Sequence, residues 1–343
     1  MEGNRPLTFV QATNEAIRTV MRDDPNVIVM GEDVAGAAGR ADQGFIDHAG
    51  GTFGMTKNLI QEFGPERILD TPISETGFMG AGVGAAAAGL RPVVDLMFVG
   101  FVGVCADQIF NNMAKMHYMF GGKVKLPITV MAQTGAGDGG YAAQHSETLW
   151  SIFTHFPGLK CVVPSDPYTA KGLQIAAMRD DDPVIIFQGI RSMGANYGDQ
   201  HVPEDDYEIE IGKARVVREG TDVTLTGIGF STRTCLQAAE TLAQKGYSAE
   251  VVDLLSLSPL DEETILESVK KTRKIVITDE DYPRCSVASD ISALAVEQAF
   301  DYLDAPPRRV SAPHASVPYS PALEKFHPPR AEDVVAAALA VLE

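Results

Sequence analysis

The run Asp24-Pro25-Asn26-Val27-Ile28-Val29-Met30-Gly31-Glu32-Asp33 decides the fold. Val27 to Met30 are all apolar, bounded by Pro25 on one side and by Gly31 and two acids on the other. They read as a short strand buried on both faces, followed by a loop. Just upstream, Thr8 with Gln11 forms a capping-box signal, and Phe9, Ala12, Ala16, Ile17, Val20 and Met21 recur at helical spacing until Asp24-Pro25 stops the turn. The same alternation continues downstream, with strands expected over 67–70, 93–98, 128–132, 160–163 and 184–187 and helical patterns between most of them. Solid apolar strands separated by helices imply an α/β fold built on a parallel sheet covered on both faces.

Over 191–210 the pattern dissolves into Gly, Asn, Asp and Pro, including Gly198-Asp199-Gln200-His201-Val202-Pro203. A linker is expected over 196–210, between a first domain at 1–195 and a second at 211–343. The second domain repeats the alternation, with strands over 223–226, 249–253 and 274–278, helices over 231–245, 261–272 and 287–300, and a last helix over 331–342. Both domains therefore read as doubly wound, the second smaller than the first. No internal repeat or low-complexity tract is visible.

A length of 343 residues suits two domains. With 46 Asp plus Glu against 28 Lys plus Arg, the net charge of −18 repels phosphate backbones and anionic lipid surfaces, so neither nucleic acid nor a membrane is an expected partner. Cys105, Cys161, Cys235 and Cys285 are scattered singly, without the spacing of a zinc site or a redox dithiol, which fits a reducing cytoplasm. No basic-then-apolar leader opens the chain, and the most apolar stretch, 96–106, is too short to span a bilayer.

In doubly wound sheets ligands collect beyond the carboxyl ends of the strands, so the loops after strands carry the candidates. Asp70-Thr71-Pro72-Ile73-Ser74-Glu75-Thr76-Gly77 leads into a helix of small residues, which suggests close approach by another backbone. Glu75 opens that helix, where an acid is equally explained by the helix dipole. The glycine spacing does not match a dinucleotide fingerprint. Ala142-Ala143-Gln144-His145-Ser146 follows the glycine-rich loop 135–140 and could bring an imidazole to a substrate mouth, although a loop histidine is commonly just solvated. Phe98-Val99-Gly100-Phe101 ends a strand and reads either as core or as a stacking platform. Gly227-Ile228-Gly229 reads as a phosphate loop or, more simply, a tight turn.

In combination these motifs resemble the β subunit of the thiamine-diphosphate-dependent component of 2-oxo acid dehydrogenase complexes, in the transketolase-like superfamily. The resemblance runs through Gly31-Glu32-Asp33, Thr71-Pro72-Ile73-Ser74-Glu75, Phe98-Val99-Gly100-Phe101, Ala142 to Ser146, Gly158-Leu159-Lys160 and Leu303-Asp304-Ala305-Pro306. The acetoin branch of that family is the most similar, through 31–36, Pro283-Arg284-Cys285-Ser286, Asp290-Ile291-Ser292-Ala293-Leu294 and Ala312-Pro313-His314. It implies two domains, a pyrimidine-binding one and a C-terminal one, and an oxidoreductase that forms a hydroxyethyl–cofactor carbanion from acetoin and passes the two-carbon unit to a lipoyl acyltransferase. Pyruvate or another 2-oxo acid is the alternative substrate, and a non-catalytic α/β binding module is the alternative class.

Members of this family anchor the diphosphate and Mg²⁺ through Gly-Asp-Gly with an asparagine about 30 residues on. Here Gly137-Asp138-Gly139 is followed by Pro164-Ser165-Asp166-Pro167-Tyr168, with no asparagine. The resemblance therefore implies that an α subunit supplies the diphosphate and Mg²⁺ half, in an α2β2 tetramer. It further implies that Glu75 shares a proton with the far ring nitrogen of the aminopyrimidine, that Phe101 stacks on that ring and that Met97 lines the same pocket. The same resemblance implies that His145 meets the substrate or the lipoyl group and that Glu32 is a second acid. Ile128 and the turn bearing Ala177, Met178, Asp180 and Asp182 resemble the family's potassium loop, against the plainer reading of a solvated turn. Asp304 is implied to contact a basic domain of the acyltransferase. Gln188 stands where family members usually carry an acid.

Overall fold

In the computed structural model, residues 4–36, 50–137, 140–198 and 200–343 are described. The capping box forms as the sequence implies: the Gln11 N–H donates to Thr8 Oγ1 at 3.2 Å and the Thr8 N–H to Gln11 Oε1 at 2.9 Å. The helix Phe9–Asp23 then runs to Asp24, which turns extended ahead of Pro25. Its periodic apolar residues are buried.

The chain divides into two compact units. The first holds the described residues up to Gln133, together with His155–Gln188 and Met193–Ile211. Its strands are β1 (Asn4–Pro6), β2 (Val27–Gly31), β3 (Ile68–Asp70), β4 (Arg91–Phe98), β5 (Thr129–Thr134), β6 (Lys160–Val162), β7 (Val184–Gly189) and β8 (His201–Pro203). The main sheet runs in the order β6-β7-β5-β4-β2-β3. The pairings of β2 with β3 and β4, of β4 with β5 and of β6 with β7 are parallel, with Val29 opposite both Ile68 and Val93. Burial on both faces explains why β2 and β5 carry no exposed residue. The β4–β5 register shifts between Asp95 and Phe98. There Met97 takes a left-handed φ of 62°, its N–H held by Asp95 Oδ1 at 2.9 Å.

The irregular stretch expected over 191–210 needs correction in part, Asp199 lying outside the described residues. Residues 190–194 form a short helix, and β8 pairs antiparallel with β1, Val202 opposite Arg5. A three-residue strand that contains proline carries no periodicity a sequence could reveal.

The second unit holds Thr134–Thr154, Gly189–Ser192 and Gly212–Glu343. Its strands are β9 (Arg215–Arg218), β10 (Val223–Gly227), β11 (Ala249–Asp253), β12 (Ser256–Ser258), β13 (Ile275–Asp279) and β14 (Arg308–Ser311). One sheet has the order β14-β13-β10-β11-β9, parallel except where β9 joins β11 antiparallel. Val223, Leu225, Val251, Val276, Cys235, Leu242 and Val334 form its core, which brings the helices Phe230–Gln244 and Ala331–Leu342 onto the sheet. No helix among the described residues is long and apolar enough to cross a membrane.

Candidate active site

The carboxyl ends of β2, β3 and β4 collect acids. Glu32 follows β2, Asp70 ends β3 and accepts the Ala35 N–H at 2.7 Å, and Asp95 lies within β4. Glu75 is the first residue of the helix Glu75–Ala87 and is only 7% exposed, while Ser74 before it makes no side-chain capping bond. The small residues of this helix have a definite use: a Cβ on Gly82 would come 2.7 Å from Val94 Cγ2 and 3.2 Å from Ile128 Cδ1. The close approach is thus to side chains of the sheet rather than to another backbone. It seats the helix directly on β4, and Glu75 with it.

These acids feel one another. Burial raises the Glu32 carboxyl above its usual range, and the charges of Glu75, Asp33 and Asp95 raise it further. Its Oε1 atom is buried with no hydrogen-bond partner. Burial and the Glu75 charge also push the Cys105 thiol up to about 12. Such a cluster favours either a shared proton or a ligand that brings donors. Beside it stands an aromatic wall. Phe101 meets Phe98 edge-on with centroids 5.9 Å apart, and Phe98 meets Phe53 likewise at 5.6 Å. Phe98 belongs to the core, while Phe101 is half-buried. Thr52 Oγ1 lies 3.5 Å from Met97 Sδ, which brings Met97 to the same place.

Two residues that the sequence did not single out complete this region. Asp95, 3% exposed, and Gln133, 1% exposed, form a buried polar line with Gln188. Gln133 Nε2 lies 3.4 Å from both Asp95 Oδ1 and Gln188 Oε1. Gln133 Oε1 and Gln188 Nε2 have no hydrogen-bond partner. Gln188 thus ends the line with a neutral amide where an acid would add charge. The only advance signal was an aspartate inside a strand solid with apolar residues.

Burial pushes the Asp95 carboxyl up to about 6, against the opposing pull of the Met97 N–H and Gln133. Because the folded value lies above the ordinary 3.8, the folded chain keeps a proton that the unfolded chain loses as pH rises from about 4 to 6. Stability should fall by on the order of 2–3 kcal/mol across that window and level off above it. Asp95→Asn keeps an acceptor for Met97 and should flatten the slope, so that its melting temperature gains on wild type at pH 7.5 but not at pH 4.5. An unaltered slope in the variant would show that Asp95 ionises equally in both states.

His145 lies in the second unit, at the end of the short helix Ala142–His145, which begins with a left-handed Ala142 at φ 59°. Of Gly137-Asp138-Gly139, the last two fall outside the described residues. Gly227-Ile228-Gly229 is a tight turn: a Cβ on Gly227 would sit 2.4 Å from Thr232 Cα, and the Ser231 and Thr232 N–H groups bond back to Ile228 and Gly229. The Asp304 carboxylate is paired within the chain, with Arg273 Nη2 at 2.8 Å, Arg273 Nε at 2.9 Å and Lys274 Nζ at 3.5 Å.

Residues 5–191 match the transketolase pyrimidine-binding domain, and residues 212–334 match the transketolase C-terminal domain. The chain belongs to the transketolase family. It is 51% identical to the acetoin:2,6-dichlorophenolindophenol oxidoreductase subunit beta of Bacillus subtilis (strain 168), over 98% of each chain. It is 39% identical to the mitochondrial pyruvate dehydrogenase E1 component subunit beta-2 of Oryza sativa subsp. japonica, over 97% of this chain and 86% of that one. Among solved structures, a split gene transketolase described as an inactive beta4 tetramer superposes with a TM-score of 0.78 at 24% identity, over 98% of this chain and 99% of that one, a likeness of fold. The expected fold, two α/β domains on mostly parallel sheets, therefore stands, as does the place among oxidoreductase β subunits.

For a transketolase-family chain, the first unit suits the aminopyrimidine of thiamine diphosphate. The buried Glu75, the unpartnered Glu32 Oε1 and the half-buried Phe101 supply an acid, an acceptor and a ring face. The potassium loop fits its ion less well. The carbonyls of Ile128, Ala177, Met178 and Asp180 accept from Val184 N, Thr129 Oγ1, Arg91 Nε and Arg91 Nη2, at 3.0, 3.0, 3.0 and 2.6 Å. Lys160 Nζ meets the Asp180 carboxylate at 2.7 Å and that of Asp182 at 3.0 Å. Burial alone would lower the Lys160 pKa, but its bonds to these aspartates outweigh burial and raise it. The cations this loop engages include Lys160, Arg91 and, through Asp181, Lys125.

Proposed function

We propose that this chain is the β subunit of an acetoin dehydrogenase, active with an α subunit in an α2β2 tetramer. The observation that carries this reading is the 51% identity, over 98% of both chains, with a subunit named for acetoin, against 39% for the pyruvate dehydrogenase β subunit. Acetoin is cleaved to acetaldehyde and a two-carbon unit. With a lipoyl disulfide as acceptor, that unit becomes an acetyl thioester as the second sulfur becomes a thiol. With a two-electron dye and one water it leaves as acetate. Thiamine diphosphate, when bound, supplies the nucleophilic carbon that takes up the fragment.

Glu75 shares a proton with the far pyrimidine nitrogen, Phe101 and Met97 border the ring, and Glu32 is the second acid of the cluster. His145 serves the acceptor side. The α subunit holds the diphosphate and Mg²⁺. Asp304 offers the acyltransferase a contact that would compete with Arg273 and Lys274. The domains run over 1–195 and 211–343 with a linker at 196–210, and the complex works in the cytoplasm.

Turnover of acetoin, pyruvate and branched 2-oxo acids by the co-purified α/β complex, with a dye acceptor, tests this reading. Acetoin should give the highest kcat/KM. Preference for any 2-oxo acid would overturn the substrate assignment, and failure of every α/β mixture to bind thiamine diphosphate would overturn the enzyme reading.

A further inference from the structure

Gly137 and Gly140 aim their N–H groups at a single carboxylate. Gly137 donates to Glu324 Oε1 at 3.0 Å and Gly140 to Glu324 Oε2 at 3.1 Å. Glu324 is 3% exposed and is itself held firmly. Its N–H donates to Ser320 O at 2.8 Å, its carbonyl accepts from the His327 N–H at 2.8 Å, and the His327 ring meets Ala315 O at 3.0 Å. The entrance of the glycine-rich stretch is fixed as well, because the Gly135 N–H and the Thr134 hydroxyl both donate to Glu147 O at 3.0 Å.

Gly137 tolerates no other residue easily, since its φ is +125° and a Cβ would lie 3.0 Å from Arg191 Cδ and 3.2 Å from Pro328 Cγ. Arg191 is anchored over the Phe230 ring at 4.0 Å and against Glu280 at 3.3 Å. A buried carboxylate is costly unless donors satisfy it, and charge-assisted bonds to backbone N–H groups are strong and directional. Here both oxygens serve the short stretch immediately before the helix Ala142–His145, which starts two residues after Gly140.

We infer that Glu324 is a positioning residue for His145: it clamps the backbone at Gly137 and Gly140 and so fixes where the helix carrying the imidazole begins. The inference rests on the acceptor-side role proposed above for His145. All of these residues lie in the second unit.

The test is a double-substitution cycle on the co-purified α/β complex, with Glu324→Gln, His145→Ala and the pair, read as the single-turnover rate of transfer to a lipoyl domain. Glutamine keeps one acceptor oxygen and loses the other. Glu324→Gln alone should slow transfer by on the order of tenfold, the usual weight of a hydrogen bond to a charged group. It should leave the KM for acetoin unchanged, and it should cost less than about twofold once His145 is already alanine, because coupled residues do not add. Amide hydrogen exchange over 135–146 should quicken in Glu324→Gln, an effect independent of catalysis. If Glu324→Gln misfolds, Glu324→Asp keeps the charge one methylene short and should show the same coupling at reduced size. Full tenfold loss on top of His145→Ala, or unchanged transfer in Glu324→Gln, would overturn the inference. Unchanged transfer in His145→Ala would instead overturn the role of His145, and the exchange data would still report on the clamp.

Discussion

Glu75→Gln should lower turnover of the assembled complex by on the order of 10²- to 10⁴-fold, the range for loss of a positioned proton donor or acceptor. The substitution is nearly isosteric at a side chain only 7% exposed, so assembly and melting temperature should hold. It has an internal check. The Glu75 charge is the second cause, after burial, of the raised Glu32 carboxyl, so that carboxyl should titrate lower in the variant. A wild-type rate in the assembled complex would return Glu75 to the status of a helix-terminus acid. An inactive complex with an unmoved Glu32 would mean that the two acids do not share a site.

What the sequence made legible follows from burial. Strands covered on both faces leave an unbroken apolar run, as at 27–30 and 184–187, and its shortness and β-branched content mark it as strand. The strands that escaped notice are edges. Arg215–Arg218 and Arg308–Ser311 carry arginines, which discourage further pairing, so their composition reads as loop. The candidate site divides the same way. Glu75, Phe101 and His145 stand in motifs that a family resemblance can carry. Asp95 and Gln133 lie inside strands, and only the improbability of a lone unsatisfied polar group in an apolar run marks them. Glu324 sits among prolines, 184 residues beyond the glycine it holds, where no local pattern could point to it. At the loop 177–182 the sequence displayed acids and carbonyls, but Lys160 and Arg91 arrive from other strands, and only the fold shows that they engage it.

Lys171→Met should lower the melting temperature of the first unit by roughly 6–12 °C, corresponding to about 3 kcal/mol at roughly 2–4 °C per kcal/mol for a domain of this size. Lys171 is 0% exposed on the helix Pro167–Arg179. Its ammonium donates to Pro203 O at 2.6 Å, Asp205 O at 3.0 Å and Glu204 O at 3.1 Å. An ammonium has three hydrogens, and three carbonyls take them. Glu15 Oε1, 2.9 Å away, therefore has no hydrogen bond left to accept and acts as a Coulombic partner, while Arg5 engages the other Glu15 oxygen. The Tyr207 ring stands 5.3 Å from Nζ. Methionine fills the stem but takes the shared donor away from three carbonyls, and it removes a cation from beside Glu15. Glu15→Gln should cost much less, because the three carbonyl bonds survive it. Amide exchange at 201–205 and in β1 should quicken in Lys171→Met before the main sheet responds, since among the described strands β8 is paired only to β1. A change in stability within about 0.5 kcal/mol would place Lys171 among ordinary surface substitutions and remove it as the tie that organises 203–205.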